Sequence, residues 1–447
     1  MDAQLALLAL QDVPRYTSYP TAIQFNDGFS PERADQWIAA LAPDASLSVY
    51  VHIPFCQQLC WYCGCHTSVP NAYQRAVDYQ KFLIKDIERT AKLVAKPRGR
   101  VKHLHFGGGT PTYLKDRDIA AIVETIDAQF GLAGDAEVAI EIDPRTIDRV
   151  RAKTLKNMGF NRASLGVQDF AIPVQLKINR FQTFGLVEAC SGYLREAGFA
   201  SLNFDLMYGL PAQTAASVAE TARKAARLKP DRLAVFGYAH VPWFKKHQKM
   251  IADADLPGVS ERYDQARTIA AALQEAGYLA IGLDHFALPA DGLAIAANAG
   301  CLRRNFQGYT TDATDALLSF GASAISQFPQ GYAQAGRDTL SWATAIENER
   351  NPATRGLSLT DDDRMRAEII ERLMCDMKVD AISIARRWHL SIADAFERLE
   401  PVCAAGLAKL ERGCVTVPEE HRLFLRTVAS AFDKYLAPAA NRHAKAV

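Results

Sequence analysis

Val49-Tyr50-Val51-His52-Ile53-Pro54-Phe55-Cys56-Gln57-Gln58-Leu59-Cys60-Trp61-Tyr62-Cys63-Gly64-Cys65 is the stretch around which this 447-residue chain is organised. Its first half is β-branched, aromatic and apolar, as a buried strand is, and it runs straight into a loop spaced Cys-x3-Cys-x2-Cys, with Cys65 following. No Asp, Glu, Lys or Arg stands between Asp44 and Arg75, so the loop is expected inside the protein. Three thiolates in a dry pocket suit an iron–sulfur cluster, because soft sulfur donors favour iron and low solvent exposure tunes its potential. A structural zinc ion prefers four closed ligands, usually two separated pairs. No second Cys-x2-Cys or His-x3-His pair follows here.

Outward from that stretch, strand-like and helix-like segments alternate to about residue 290. Strands are expected at Leu47–Ile53, Val101–Phe106, Glu137–Ile142, Arg162–Val167, Ser201–Met207 and Arg232–Tyr238, with a seventh at Tyr278–Leu283. Helical patterns lie between them, at Tyr73–Ala95, Asp116–Gln129, Ile147–Asn157, Thr183–Glu196, Ala215–Arg227 and Ser260–Glu275. Such alternation indicates βα units on a parallel sheet, and their number points to an α/β fold with a partial or complete TIM-like barrel. Chemistry in such barrels gathers at the C-terminal strand ends. The unusual motifs all fall there. The cysteine loop follows the first strand, Gly107-Gly108-Gly109-Thr110-Pro111-Thr112 the second and Glu141-Ile142-Asp143-Pro144 the third. Gln168-Asp169-Phe170, Tyr208-Gly209-Leu210-Pro211 and Ala239-His240-Val241-Pro242-Trp243 follow the fourth, fifth and sixth.

The flanks differ in character. Residues 1–45 read as an N-terminal arm centred on Pro14-Arg15-Tyr16-Thr17-Ser18-Tyr19-Pro20, either an ordered segment laid over something or a plain surface loop. Residues 46–345 hold the barrel and its extension, including Arg303-Arg304-Asn305-Phe306-Gln307-Gly308-Tyr309-Thr310-Thr311. Residues 346–447 are expected to form a mainly helical, winged-helix-like C-terminal domain. It has helices at Asp361–Asp376 and Ile382–Leu399, a hairpin in Leu407–Val417 turning at Arg412-Gly413, a helix to about Tyr435 and a frayed end, Ala437–Val447. A DNA reader of that kind needs a basic face, and Asp361-Asp362-Asp363 argues against one. With 51 basic and 50 acidic residues, bulk binding of nucleic acid or of a membrane surface is not expected.

The start, Met1-Asp2-Ala3-Gln4-Leu5, lacks the basic and apolar regions of a signal peptide. The uncharged stretch from Ala45 to Gln74 is interrupted by His, Pro and Cys, so no membrane span is expected. Nine cysteines, clustered once, fit a reducing, cytoplasmic setting.

On these motifs the chain resembles the radical S-adenosylmethionine (SAM) enzymes, and within them the oxygen-independent coproporphyrinogen III oxidases. The carrying stretches are Tyr50–Cys65, His105–Thr112, Glu141–Pro144, Ser164–Phe170 with Asn179-Arg180, Asn203–Pro211, Phe236–Trp243, Asp284–Pro289 and Arg304–Thr311. Arg15–Thr21 and Arg372-Leu373-Met374-Cys375 match too. A haem chaperone of the same superfamily shares the barrel but usually carries Phe where Cys65 stands. It also lacks the long arm and the Asn-Phe-Gln-Gly-Tyr-Thr-Thr segment.

The resemblance implies one 4Fe–4S cluster held by Cys56, Cys60 and Cys63, the fourth iron being left to SAM, and a second SAM molecule beside the first. It implies decarboxylation of two propionates of coproporphyrinogen III to vinyl groups, giving protoporphyrinogen IX. A 5′-deoxyadenosyl radical would take hydrogen from the propionate β-carbon. Tyr50 maps to a SAM or substrate contact, an ordinary strand tyrosine being the alternative. Tyr62 would pack on the adenine, and the backbone at Gly108, Gly109 and Thr110 would meet the SAM ammonium. Glu141 maps to the SAM-binding carboxylate.

Gln168, Arg180 and Asp205 map to contacts of the second SAM, with a structural Arg–Asp pair as the alternative for the last two. Ala239, Phe306, Gln307 and Ile325 map near SAM. Cys65 is expected to act with Tyr50 in catalysis, outside the cluster's ligands. Four substrate carboxylates require cations, for which Arg15, Arg303, Arg304, Lys245 and Lys246 are candidates. His240 and His285 are either polar site residues or satisfied core histidines. An electron donor of unknown identity is required, and the chain is expected to be a monomer.

Overall fold

The computed structural model describes residues 3–94 and 99–436. The expected frayed end Ala437–Val447 and the expected helix end at Ala95 lie outside the described residues. Strands β1 (Leu47–Ile53), β2 (Val101–Gly108), β3 (Leu132–Ile142), β4 (Arg162–Gln168), β5 (Ser201–Tyr208) and β6 (Arg232–Gly237) pair in sequence order, all parallel. Each carries its crossover helix, as parallel neighbours must. β1 is buried on both faces along nearly its whole length, which accounts for its unbroken run of apolar and small residues. Helix ends follow the local chemistry. Thr214 caps the helix Ala215–Arg227 by accepting from Ser217 N, and Gly131, at φ 74°, closes the helix Asp116–Phe130.

Two outcomes differ from the sequence reading. The expected seventh strand is short, Leu279–Ile281 (β7), and does not join in parallel. It turns within three residues into β8 (His285–Ala287), which lies between β6 and β7 and pairs antiparallel with each, leaving β7 at the sheet edge. So short a turn cannot make a parallel crossover. On the other side β1 pairs with an unexpected parallel strand. After the hairpin β9 (Arg303–Asn305) and β10 (Gly308–Thr310), β11 (Ala316–Phe320) lies beside β1, with Tyr50 opposite Ser319. β12 (Ile325–Phe328), β13 (Gly331–Ala335) and β14 (Ala353–Ser358) extend the sheet antiparallel. The result is an open, partial barrel of parallel strands inside a twelve-stranded sheet.

A second core lies under the C-terminal segment. Met365, Ile369, Leu373, Leu399, Phe424 and Phe432 pack there together with Tyr16 and Tyr19 of the arm. Burying a side chain of that size stabilises by roughly 1.5–3 kcal/mol. The arm is pinned as well as packed. Tyr16 OH donates to Asp433 Oδ2 at 3.1 Å, Lys434 N donates to Tyr19 OH at 3.1 Å, and Tyr332 OH donates to Tyr19 O at 3.3 Å. The helix Asp361–Asp376 has the expected bounds, but Ile382–Leu399 is two helices, Ala381–Arg387 and Ala393–Ala404. His389, at φ 55°, takes the left-handed conformation that ends the first of them. A small sheet of β15 (Lys378–Asp380), β16 (Lys409–Glu411) and β17 (Cys414–Thr416) follows, with Arg412 and Gly413 both at positive φ in its hairpin turn.

Candidate active site

β1 delivers the cysteine loop, and its neck is closed by Cys56 N donating to Ser68 O (3.0 Å) and Ser68 N to Pro54 O (2.9 Å). Farther out the loop hangs on other elements. Trp61 N donates to Ile178 O at 3.0 Å, and Asn179 Nδ2 to Leu59 O at 2.9 Å. Gln248 Nε2 donates to Tyr62 O at 3.0 Å, and the His247 ring lies 2.7 Å from Cys63 O. Lys245 Nζ donates to Cys65 O at 2.8 Å. Sequence reasoning made Lys245 a candidate propionate partner and missed the loop-holding role of Lys245, His247 and Gln248. Nothing in that polar stretch distinguishes it from a solvated one.

Where the strands end, a cavity of about 540 Å³ opens. Cys56, Cys60, Cys63 and Cys65 line it with Tyr62, Gly108, Gly109, Thr110, Glu141, Gln168, Arg180, Asp205 and Ala239. Gly108 sits at φ 114°, and a Cβ there would strike the His52 ring at 2.7 Å. Glu141 takes Gly108 N on Oε2 (3.1 Å), while Oε1 lies 3.2 Å from His105 Nε2. Burial opposes its ionisation, but the His105 contact and the Gly108 N–H outweigh that and hold the carboxyl below its ordinary range. It faces the cavity as a carboxylate.

Arg180 donates Nη1 to Asp143 Oδ2 (3.3 Å) and Nη2 to Gly166 O (2.6 Å), with Nη1 also 3.6 Å from Cys60 Sγ. Its Nε is buried without a partner. Asp143 also receives Arg145 N and its guanidinium, so Arg180 does stand in a structural Arg–Asp pair, but with Asp143 and not with Asp205, whose partners are Ser164 and Asn203.

The thiols are unlike one another. Burial pushes Cys56 up, although Thr67 and Thr110 hydroxyls stand 3.2 and 3.4 Å from its sulfur. The hydrogen bond from Cys65 pulls Cys63 down, and the same contact pushes Cys65 up. Three thiols on one loop, one of them favoured as thiolate, with a guanidinium at Cys60, form a donor set that suits a 4Fe–4S cluster.

Asp205 accepts from Ser164 Oγ (3.0 Å) and Asn203 Nδ2 (2.8 Å). Burial, then the charge on Glu141, push its carboxyl up to about 6. A group that holds its proton more tightly folded than unfolded opposes folding once it is ionised. That opposition is absent below the ordinary aspartate pKa, grows as pH rises and is complete above about pH 6. Asp205→Asn is therefore expected to raise Tm by a few degrees at about pH 8 and to change it little near pH 4. Thermal melts at the two pH values check this. A lower Tm than wild type at the higher pH would show that the lost acceptor outweighs the removed charge.

Other expected site residues stand elsewhere. Tyr50 is in the wall behind the cavity, its ring stacked on His105 with centroids 5.8 Å apart and its hydroxyl 3.2 Å from His52 Nδ1. Ile325 lies on β12, two strands from Tyr50, where its O accepts from Ser319 Oγ at 2.6 Å. Phe306 packs edge-on against Tyr332 at 5.8 Å, and Gln307 is exposed at the β9–β10 turn. The structure brings none of these last three to the cavity lining. His240 sits between Tyr238 OH (2.8 Å) and Asp253 (3.0 Å), and His285 lies 2.8 Å from Asp284, so each histidine is satisfied. Arg303 pairs with Glu371 at 3.3 Å, and Lys246 is exposed. Phe236 and Tyr238, which line the cavity, fall in the matching stretch Phe236–Trp243 but are not singled out there as site residues.

Residues 50–225 match the radical SAM superfamily. The chain is 46% identical over 439 residues to an oxygen-independent coproporphyrinogen III oxidase of Bradyrhizobium diazoefficiens, covering 97% of each. It is 42% identical to the Escherichia coli protein of that description, covering 98% of this chain and 96% of the other. The solved structure of coproporphyrinogen III oxidase from Escherichia coli, described as a radical SAM enzyme, superimposes with a TM-score of 0.90 at 40% identity. It spans 95% of this chain and 100% of that one. No helix among the described residues is long and apolar enough to cross a membrane.

Proposed function

The chain belongs to the oxygen-independent coproporphyrinogen III oxidases of the radical SAM superfamily, and from that membership we infer that it converts two propionate side chains of coproporphyrinogen III to vinyl groups. The product is protoporphyrinogen IX, a step in haem biosynthesis that needs no oxygen. When bound, the 4Fe–4S cluster and SAM of this superfamily would supply a 5′-deoxyadenosyl radical for taking a hydrogen atom from the propionate, which becomes a vinyl group by losing carbon dioxide and passing one electron to an external acceptor.

The chain's own residues hold, orient and exclude. Cys56, Cys60 and Cys63 would hold the cluster through three thiolates. Glu141, ionised in the cavity, would take the ammonium of SAM, with the backbone of Gly108, Gly109 and Thr110 alongside and Tyr62 against the base. Gln168, Arg180, Asp205 and Ala239 line the same cavity, with Arg180 against Cys60, and would seat a second SAM. Cys65, which lines the cavity, and Tyr50, stacked behind it on the His105 that meets Glu141, would act on a propionate brought there. The apolar part of the wall, with Ile142, Met207 and Phe236, would keep water from the reacting carbon. Gln57, Gln58, Gly64 and Cys65 leave the cysteine loop partly in solvent, against the expectation that it lies inside. All nine cysteines are free, which fits a reducing, cytoplasmic setting.

The observation that carries the reading is the meeting of the Cys-x3-Cys-x2-Cys loop, the glycine turn, Glu141 and Asp205 in one cavity at the strand ends. Anaerobic incubation of the iron-loaded protein with SAM, dithionite and coproporphyrinogen III tests it. The expected product is lighter by two carbon dioxide molecules and four hydrogens. Tight haem binding without SAM cleavage would move the chain to the haem chaperones.

A further inference from the structure

A second cavity, of about 470 Å³, adjoins the first, and the two share Arg15, Phe236 and Tyr238 as common wall. Six arginines line it: Arg15, Arg262, Arg267, Arg304, Arg422 and Arg426. The carboxylates on its wall are Asp284, Glu419 and Glu420. Two of these are already engaged, Asp284 with His285 at 2.8 Å and Glu419 with Arg422 at 2.7 Å. The cavity is therefore cationic, and between its charges the wall is apolar, with Val235, Phe236, Phe286 and Leu423.

The guanidiniums arrive from separate elements. Arg15 comes from the arm, Arg262 from the helix Val259–Glu275, Arg304 from β9 and Arg426 from the helix Leu425–Ser430. Their seats are built. Arg262 lies over the Tyr208 ring, 5.7 Å from its centroid, and runs across the backbone at Gly209 and Gly237. A Cβ at Gly209 would collide with its Nη1, and one at Gly237 would come within 3.2 Å of its Nη2. Arg304 gives Nε to Tyr16 O (3.1 Å) and Nη2 to Arg15 O (3.2 Å), leaving Nη1 buried without an acceptor. Arg15 Nη2 reaches Gly237 O at 3.3 Å. Burial and the nearby charges of Arg15 and Arg304 bring Arg426 down to about 10, and burial and Arg15 lower Arg262. Such crowding of like charge is relieved when an anion enters.

We propose that this arginine-lined cavity seats the carboxylates of the substrate that do not react, with Arg262 and Arg426 as the principal cations and Arg15 at the junction with the cysteine cavity. The assignment rests on the reading of the substrate given above. Coproporphyrinogen III carries four propionates and loses two, so two carboxylates remain throughout and must be held while another side chain enters the cysteine cavity. An arginine fork matches a carboxylate in two parallel hydrogen bonds, and the apolar wall matches the pyrrole edges. The C-terminal segment, through Arg422 and Arg426, thereby becomes part of substrate recognition.

Arg262→Gln and Arg426→Gln are each expected to raise KM for coproporphyrinogen III by about ten-fold or more, with a smaller change in kcat. Inhibition by protoporphyrinogen IX, which keeps the same two carboxylates, is expected to weaken by the same factor. Lysine at either position restores part of the loss. Arg15→Gln, at an exposed position, is expected to raise KM in the same sense, and it decides the matter alone if the buried variants lose their iron. Unchanged KM and unchanged product inhibition, or a fall in kcat at constant KM, would overturn the proposal. A wild-type protein that leaves coproporphyrinogen III intact would instead refute the substrate reading itself.

Discussion

Serine at Cys56, Cys60 or Cys63 is expected to strip iron and sulfide from the protein, whereas serine at Cys65 leaves both in place and removes most of the protoporphyrinogen formed. The four sulfurs share one cavity but not one setting. Cys65 is only two residues beyond Cys63, and its carbonyl is tied outward to Lys245. Cys65 is an exposed residue of the cavity lining, and its thiol is engaged in a hydrogen bond with that of Cys63. A fourth thiolate on the cluster would also close the position that SAM needs and leave an electron-transfer centre. Iron, sulfide and product measured side by side on the four variants decide it. If Cys65→Ser sheds iron as the other three do, Cys65 is a ligand.

Gly109→Ala is expected to lose both iron retention and turnover, although no ligand is touched. Gly109 N donates to Ile53 O at 2.9 Å and Thr110 N to Phe55 O at 2.8 Å, so the glycine turn is stitched to the root of the cysteine loop. A Cβ at this position would lie 2.8 Å from Phe55 O and 3.0 Å from Phe55 N, both backbone atoms, and 2.5 Å from Thr67 Oγ1. The backbone next to Cys56 must move to admit it. Overpacking of this kind costs roughly 1–3 kcal/mol, and here it falls on the geometry of a metal loop. Gly134→Ala, where nothing lies within 4 Å of the added carbon, is the control. Equal iron content in the two variants would show that the turn yields without disturbing Cys56.

Strands β1 to β6 were legible because each is a short apolar run followed by a helix with its own period, two signals that agree. β11 had neither. Ala316–Phe320 is five residues long, has no crossover helix after it, and owes its place to the open flank of β1. The break at His389 was hidden because the apolar spacing continues across it, and only the backbone angle shows the stop. At the site, cysteine spacing, the glycine turn and the strand-end carboxylate are local patterns and could be read. Arg262 and Arg426 could not, since an arginine on a helix looks alike whether it faces solvent or a cavity. What distinguishes Arg262 is the absence of side chains at Gly209 and Gly237, far away in the chain.

The clasp between Tyr16 and Asp433, and between Tyr19 and Lys434, carries a consequence for the order of assembly. During synthesis the strands and helices behind the cysteine loop can settle as they emerge, N-terminal parts first. Tyr16 and Tyr19 cannot, because their partners stand 417 and 415 residues further along the chain. Until those partners are made, Gly237, Arg304 and Tyr332 offer the arm its other contacts, but the Tyr16 and Tyr19 hydroxyls lack their C-terminal partners. The two tyrosines of the arm therefore take their final places only after the strands and helices behind the cysteine loop have formed.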